Sequence, residues 1–149
     1  MTEFDKQFIK LLNLKGKTLD VGSLNVNGDI KVYCKDFYIG IDMRKGKNVN
    51  IQALSQFLPF KSEVFDNIIS IGTLEHDKEF WMSVKEMYRV LKVKGKLILS
   101  IPNYNFKYHA FPKDYWRFSK DSLNFFFPNG YNIWGSEIND NLIRVWGVK

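Results

Sequence analysis

The sequence predicts an α/β protein: a doubly wound, mostly parallel sheet with an antiparallel hairpin at its C-terminal end. Three observations carry this. Short apolar runs rich in β-branched residues alternate with stretches of helical spacing along the 149 residues. Thr18-Leu19-Asp20-Val21-Gly22-Ser23 reads as a buried strand entering a Gly turn, and Tyr38-Ile39-Gly40-Ile41-Asp42 reads as a second strand ending on a carboxylate. That acid comes about twenty residues after the turn, the grammar of a nucleotide-type cofactor site at the carboxyl edge of a parallel sheet. Finally, two runs at the end of the chain, Tyr131 to Glu137 and Leu142 to Val148, flank the polar segment Ile138-Asn139-Asp140-Asn141 as in a hairpin.

The elements follow in order. Phe4, Phe8, Leu11 and Leu12 share a helical face, so residues 3 to 13 are expected to form an amphipathic helix that Lys15-Gly16-Lys17 ends. Strand one runs from Lys17 to Val21. Residues 22 to 36 form a loop with at most a short helix, and Phe37 to Ile41 is strand two. Val49 to Ile51 is a brief third strand, and Gln52 to Pro59 holds one helical turn. Phe65 to Ile71 is strand four, a run with an apolar, β-branched centre. Phe80, Val84, Met87, Tyr88 and Leu91 repeat at helical spacing, and Lys94-Gly95 is read as the stop. Lys96 to Ile101 is strand five, closed by Pro102. Residues 103 to 117 form a long aromatic loop, Ser119 caps a helix through about Phe127, and Pro128-Asn129-Gly130 breaks it.

Bulk properties suit a single domain over residues 1–149. Apolar residues make up 45% and charged residues 26%, ordinary for a globular protein, and 13 Phe supply a dense core. No apolar run is long enough to span a bilayer, so no membrane partner is expected. The acidic N-terminal segment lacks the basic-then-apolar order of an export signal, and a cytoplasmic location is expected. The one cysteine, Cys34, excludes an internal disulfide and a Cys-rich zinc site. The net charge of +6 raises nucleic acid as a partner. The lysines are scattered, with no run of five basic residues, so a solvated basic surface is the preferred reading. The oligomeric state is not legible.

The order of elements and a series of short motifs resemble the class I S-adenosylmethionine-dependent methyltransferases, and within them the branch usually called methyltransferase type 11. The matching pieces are Leu19-Asp20-Val21-Gly22-Ser23, Val26-Asn27-Gly28, Tyr38-Ile39-Gly40-Ile41-Asp42, Leu58-Pro59-Phe60, Phe65-Asp66 and Leu74-Glu75-His76. Glu86-Met87-Tyr88-Arg89-Val90-Leu91, Gly95, Ile101-Pro102-Asn103 and Asp114-Tyr115-Trp116-Arg117-Phe118-Ser119 complete the set. The resemblance runs from about residue 17 to the C-terminus and implies a compact Rossmann-like fold that binds S-adenosyl-L-methionine. It implies that Gly22 and Ser23 pass backbone along the methionine part of the cofactor, with Leu24 next to them. Asp20 would help orient the amino group. Asp42, followed by Met43, would hold the ribose diol. Gly72, Thr73 and Leu74 would line the floor near the sulfonium, and His76 would stand close to the methyl group. Two positions depart from the family pattern. Leu24 stands where a second Gly is usual, and Leu54 stands where an acid often binds the adenine amino group. Backbone groups of Ala53 and Leu54, or the side chains of Gln52 or Gln56, would serve instead.

Methyl transfer is an in-line displacement that needs alignment and exclusion of water, and for acceptor oxygens a base. His76 is the candidate base; the alternative is that it only satisfies the helix start at Asp77. Glu75 is a candidate substrate-side residue, expected to combine shaping of the cofactor site with stabilisation of the helix N-terminus. Asp114, Tyr115, Trp116 and Arg117 are candidate acceptor contacts, Arg117 as an anion clamp; the alternative is a loop anchored by an Arg117–Asp114 pair. His109 has no evident partner. Neither histidine has a third metal ligand in its sequence neighbourhood, so no metal site is expected. The expected function is transfer of a methyl group to an unidentified small-molecule, sugar or cell-surface-precursor acceptor. The alternatives are an inactive binding or scaffold protein on the same fold, a nicotinamide enzyme, disfavoured because three spaced glycines are missing, and RNA methylation, which rests on charge alone.

Overall fold

The computed structural model describes residues 3–25, 28–110, 113–127, 132–139 and 141–149. Val26 and Asn27 of the Val-Asn-Gly motif, the Pro128-Asn129-Gly130 break and the hairpin residues Tyr131 and Asp140 lie outside them.

Helix α1 (Glu3–Leu12) buries Asp5, Phe8 and Ile9, with Leu12 partly covered, a 5-8-9-12 stripe. Leu11, expected on the apolar face, is instead 83% exposed, and Ile9 takes its place in the core. Strand β1 (Lys17–Val21) leads to a single 3-10 turn at Lys31–Tyr33, then to β2 (Phe37–Asp42). Strand β3 is Ile51–Gln52 rather than Val49 to Ile51, because Ile51 pairs with Ile41 and Gln52 with Asp42, while the Val49 amide closes a turn onto Gly46 O. Between residues 52 and 59 an isolated turn from Phe57 N to Leu54 O stands where a helical turn was expected.

Strand β4 (Phe65–Ile71) is followed by a 3-10 turn at Leu74–His76, helix α2 (Phe80–Val90) and the twelve-residue strand β5 (Leu91–Pro102). The helix stops at Val90, not at Lys94-Gly95. Leu91 is already extended and pairs with Phe65, and the positive φ of 64° at Lys94 lies within an irregular stretch before Asn67 pairs with Lys96. Ser119 caps nothing through its side chain. Its carbonyl accepts hydrogen bonds from Ser122 N and Oγ, and the helix expected to follow shrinks to a 3-10 turn at Lys120–Ser122 and α3 (Leu123–Phe126). Strands β6 (Asn132–Ile138) and β7 (Leu142–Val148) form the hairpin.

One sheet holds all seven strands in the order β3-β2-β1-β4-β5-β7-β6. Pairings from β3 through β5 are parallel, and β7 runs antiparallel to both β5 and β6. Alternation along the strands divides the core in two. Ile68, Leu97 and Leu99 face α2 and α3, whereas Ile69 and Ile98 face α1. The chain leaves β1 toward β2 and β3 on one side and toward β4 and β5 on the other. A doubly wound sheet opens its ligand crevice at the carboxyl ends of strands flanking such a divergence. No helix among the described residues is long and apolar enough to cross a membrane.

Candidate active site

Three strand ends frame the crevice. Strand β1 runs into Gly22, whose φ is +85°, and the amides of Gly22 and Ser23 both donate to Ile41 O at 2.9 Å. A Cβ on Gly22 would collide with the Thr73 side chain, so both conformation and space demand glycine there. Strand β2 ends at Asp42, whose carboxylate accepts the amides of Leu24 (3.3 Å) and Arg44 (2.9 Å) and is thereby aimed along the crevice. Strand β4 ends at Gly72, whose amide donates to Ser100 O.

Between these ends lies a cavity of about 590 Å3. Its walls hold buried polar atoms without a hydrogen-bond partner among the described residues: Asp20 Oδ1, Ser23 Oγ, Gln56 Oε1 and Glu75 Oε2. Each such group costs roughly 1–3 kcal/mol when left unsatisfied, so the cavity is built for a polar occupant. Asp20 is 2% exposed, and its other oxygen accepts the Tyr38 hydroxyl at 2.8 Å. Burial pushes its carboxyl up to about 7; the Tyr38 hydrogen bond opposes this, and the negative charges of Asp29 and Asp42 add to it.

Two walls are braced by side-chain networks. Asp77 accepts hydrogen bonds from Ser55 Oγ (3.4 Å), Gln56 Nε2 (2.5 Å), the Glu79 amide (2.9 Å) and the Ser83 hydroxyl, joining the segment after β3 to the start of α2. On the other wall the side chains of Glu75, His76 and His109 meet. Glu75 Oε1 lies 3.9 Å from His76 Nε2 and 3.5 Å from His109 Nε2, and the two imidazoles stand edge to face at 4.8 Å between centroids. The hydrogen bond that His109 donates to Glu75 is the largest cause of a raised His109 pKa, burial opposes it, and the charges of Asp114 and Glu75 add to it.

The sequence profile of the family described as "Methyltransferase domain" matches residues 19–99, more than half of the chain. The chain belongs to this methyltransferase-domain family. An uncharacterized protein of Methanocaldococcus jannaschii is 35% identical over 80 residues, which cover 53% of this chain and 35% of that protein. The ubiquinone/menaquinone biosynthesis C-methyltransferase UbiE of Wigglesworthia glossinidia brevipalpis is 29% identical over 101 residues, 65% of this chain and 37% of that one. The chain thus spans little more than a third of the length of these relatives. Among solved structures, the 1,6-didemethyltoxoflavin-N1-methyltransferase of Burkholderia thailandensis, with bound 1,6-didemethyltoxoflavin and S-adenosylhomocysteine, superposes with a TM-score of 0.77. It covers 99% of this chain and 77% of its own at 13% identity, a likeness of fold. The methyltransferase domain here is therefore Rossmann-like, mostly parallel, and closed by antiparallel strands.

Most residues singled out in the sequence line the cavity of this methyltransferase domain: Asp20, Gly22, Ser23, Leu24, Asp42 and Met43 on one side, Ala53 and Leu54 at the next strand end, and Gly72, Thr73, Glu75, His76 and Tyr115 across from them. Leu24 does not plug the crevice; its side chain rests in the space that Gly46 leaves by lacking a Cβ. Leu54 is 48% exposed at the rim. Five expectations need correction. Leu74 is 1% exposed and packs in the core beneath α2 instead of lining the floor. Asp114 and Arg117 pair with each other in a fork at 2.5 and 2.6 Å, and Trp116 donates from Nε1 to Asp77 O while stacking among Phe80 and Trp81. None of these three lines the cavity; they anchor the loop after β5. The reason for expecting no metal also fails: the histidines occupy one neighbourhood, with Glu75 as the third group. Asp77 and His109 are the site residues whose roles the sequence reading missed. The Asx-type bond from Asp77 to the Glu79 amide was a usable local signal, but nothing local pointed to His109.

Proposed function

We propose that this chain binds S-adenosyl-L-methionine across the tips of β1 and β2 and transfers its methyl group to a small-molecule acceptor, a sugar or cell-surface precursor among the candidates. The observation that carries the reading is the convergence of the Gly22 turn, the Asp42 carboxylate and the unsatisfied atoms Asp20 Oδ1 and Ser23 Oγ on one cavity. These groups fit a zwitterionic, hydroxylated ligand: Asp20 faces an ammonium, Ser23 a polar neighbour, and Asp42 a diol. When bound, the cofactor supplies an electrophilic methyl carbon on a cationic sulfonium.

The chain's own residues position and deprotonate. Gly22 keeps the floor of the crevice bare, since a Cβ there would meet Thr73, and Leu24 and Leu54 stand on its walls. His76 Nδ1 meets Lys113 O at 2.5 Å, which places the proton of the neutral ring on that nitrogen and leaves Nε2 free to accept one from an acceptor hydroxyl. Glu75 Oε1 stands 3.9 Å from Nε2. Tyr115 offers a ring face to the acceptor at the cavity mouth.

Isothermal titration with S-adenosylmethionine and S-adenosylhomocysteine tests the reading. Stoichiometric binding of both is expected. Absence of binding at millimolar ligand would overturn it and favour a scaffold role. Transfer of labelled methyl groups into fractionated small-molecule pools then identifies the acceptor class.

A further inference from the structure

The wall formed by Glu75, His76 and His109 does more than line a cavity. One ligand atom from each side chain lies within 4.8 Å of the other two. We propose that these three residues form a binding site for a divalent transition-metal ion of the zinc type. Two ligands at about 2.1 Å from a tetrahedral zinc ion sit about 3.4 Å apart. The Glu75–His109 separation of 3.5 Å matches that spacing, and small ring rotations would bring in His76, now 3.9 Å from Glu75.

The rings are backed as metal ligands usually are. A histidine that ligates through Nε2 generally donates from Nδ1 to a carbonyl or carboxylate, which fixes tautomer and direction. His76 Nδ1 meets Lys113 O at 2.5 Å. His109 Nδ1 lies 3.1 Å from Asp114 Oδ2 and 3.3 Å from Lys107 O. Asp114 is itself locked by the Arg117 fork and by the His109 amide at 2.8 Å. Both Nε2 atoms lie toward the carboxylate, 3.9 and 3.5 Å from Glu75 Oε1.

Glu75 gives an independent sign. The residue is 2% exposed, and its Oε2 has no hydrogen-bond partner among the described residues. A buried anionic oxygen is stabilised by a cation, and a metal bound through this carboxylate supplies one. Two imidazoles with one carboxylate suit zinc, iron or cobalt and do not suit magnesium or calcium, which prefer all-oxygen shells. The three ligands stand on one side, so the cavity leaves coordination positions open to water or an acceptor oxygen. An ion here would lower the pKa of a bound acceptor hydroxyl, whose proton would then leave to water, since a ligating His76 Nε2 no longer accepts it.

The test uses the untagged full chain after chelation, without any cofactor, so its outcome is separate from that of the methyltransferase reading. Zinc is titrated calorimetrically and cobalt by visible absorption. About one ion per chain is expected, with no response to magnesium. His109→Asn and His76→Asn should each weaken zinc binding about tenfold or more. Glu75→Gln should do the same; if that buried variant does not fold, the two histidine variants decide. No binding at millimolar zinc would overturn the proposal, as would binding unchanged in the folded variants. The cluster would then be an ion pair between His109 and Glu75.

Discussion

Arg144 of β7 and Asp5 of α1 form an ion pair in the interior, Nε to Oδ1 at 2.7 Å, with the two side chains 0% and 2% exposed. Ser100 Oγ reaches the same Asp5 oxygen at 3.1 Å from the cross-strand neighbour of Arg144. The pair fastens the first helix to the far side of the sheet, and Asp5 also touches the cavity. Removing one member of such a pair takes from the other its buried counter-charge. Arg144→Met is expected to cost on the order of 3–5 kcal/mol in urea unfolding, with part of the loss recovered in Asp5→Leu/Arg144→Met. A single-variant loss below about 1 kcal/mol would show that the pair is not structural.

Asp20 and Tyr38 give a pH prediction. The folded carboxyl titrates near 7, against about 3.9 in an unfolded chain. The folded state therefore binds this proton more tightly. Its stabilising effect is complete below about pH 4 and is lost progressively as the pH rises to 7, by at most roughly 1.4 kcal/mol per unit. Asp20→Asn should flatten the curve of unfolding free energy across that window. An unchanged slope would place the Asp20 pKa near its ordinary value.

Asp42 is aimed by the amides of Leu24 and Arg44, so its loss should be felt in binding. Asp42→Ala is expected to weaken S-adenosylmethionine binding by at least about 1 kcal/mol, roughly fivefold in Kd, by calorimetry. Equal affinities in the two proteins would remove Asp42 from the site.

What was legible follows from how local each signal is. Strands β1 and β4 begin and end where the sequence places them, at Lys17–Val21 and Phe65–Ile71, because each carries a β-branched, apolar stretch that is buried in the sheet. Gly22 and Asp42 were legible because each directly follows or ends such a strand. The end of α2 was misread because Lys94-Gly95 has the composition of a helix stop, yet tertiary pairing of Leu91 with Phe65 begins a strand three residues earlier. The Arg117–Asp114 pair was readable at its three-residue spacing, but its purpose was not. His109 was opaque because its partner Glu75 sits 34 positions away, brought to it by a loop whose path depends on Trp116 and Arg117.

Leu24 and Gly46 are coupled, which explains how this chain accepts a large residue in a turn where a second glycine is usual. A Cβ at position 46 would enter the space held by Leu24 Cδ1. Gly46→Val should therefore destabilise the protein, and Leu24→Ala should relieve much of that loss. A coupling of about 0.5 kcal/mol or more is expected from the thermal unfolding of the four proteins in the cycle. Strict additivity would refute the contact.

Arg117 offers the sharpest separation of scaffold from site. All five of its N–H donors have acceptors: Nε gives to Phe106 O (2.9 Å), Nη1 to Asp114 Oδ1 (2.5 Å) and Trp116 O (2.8 Å), and Nη2 to Lys107 O (2.9 Å) and Asp114 Oδ2 (2.6 Å). The guanidinium holds the Asp114 carboxyl far below the usual carboxylate range; burial opposes this, and His109 contributes in the same direction. A lysine has three donors on a flexible stem and cannot reproduce a planar fork. Arg117→Lys should thus leave the carbonyls of Phe106 and Lys107 without their donor and loosen the loop after β5, at a cost of roughly 1–3 kcal/mol. Limited proteolysis should show faster cutting between residues 103 and 118. Cofactor affinity should stay within about twofold, because none of these contacts reaches the tips of β1 or β2. If affinity fell and the loop kept its protection, Arg117 would belong to the binding surface and not to its support.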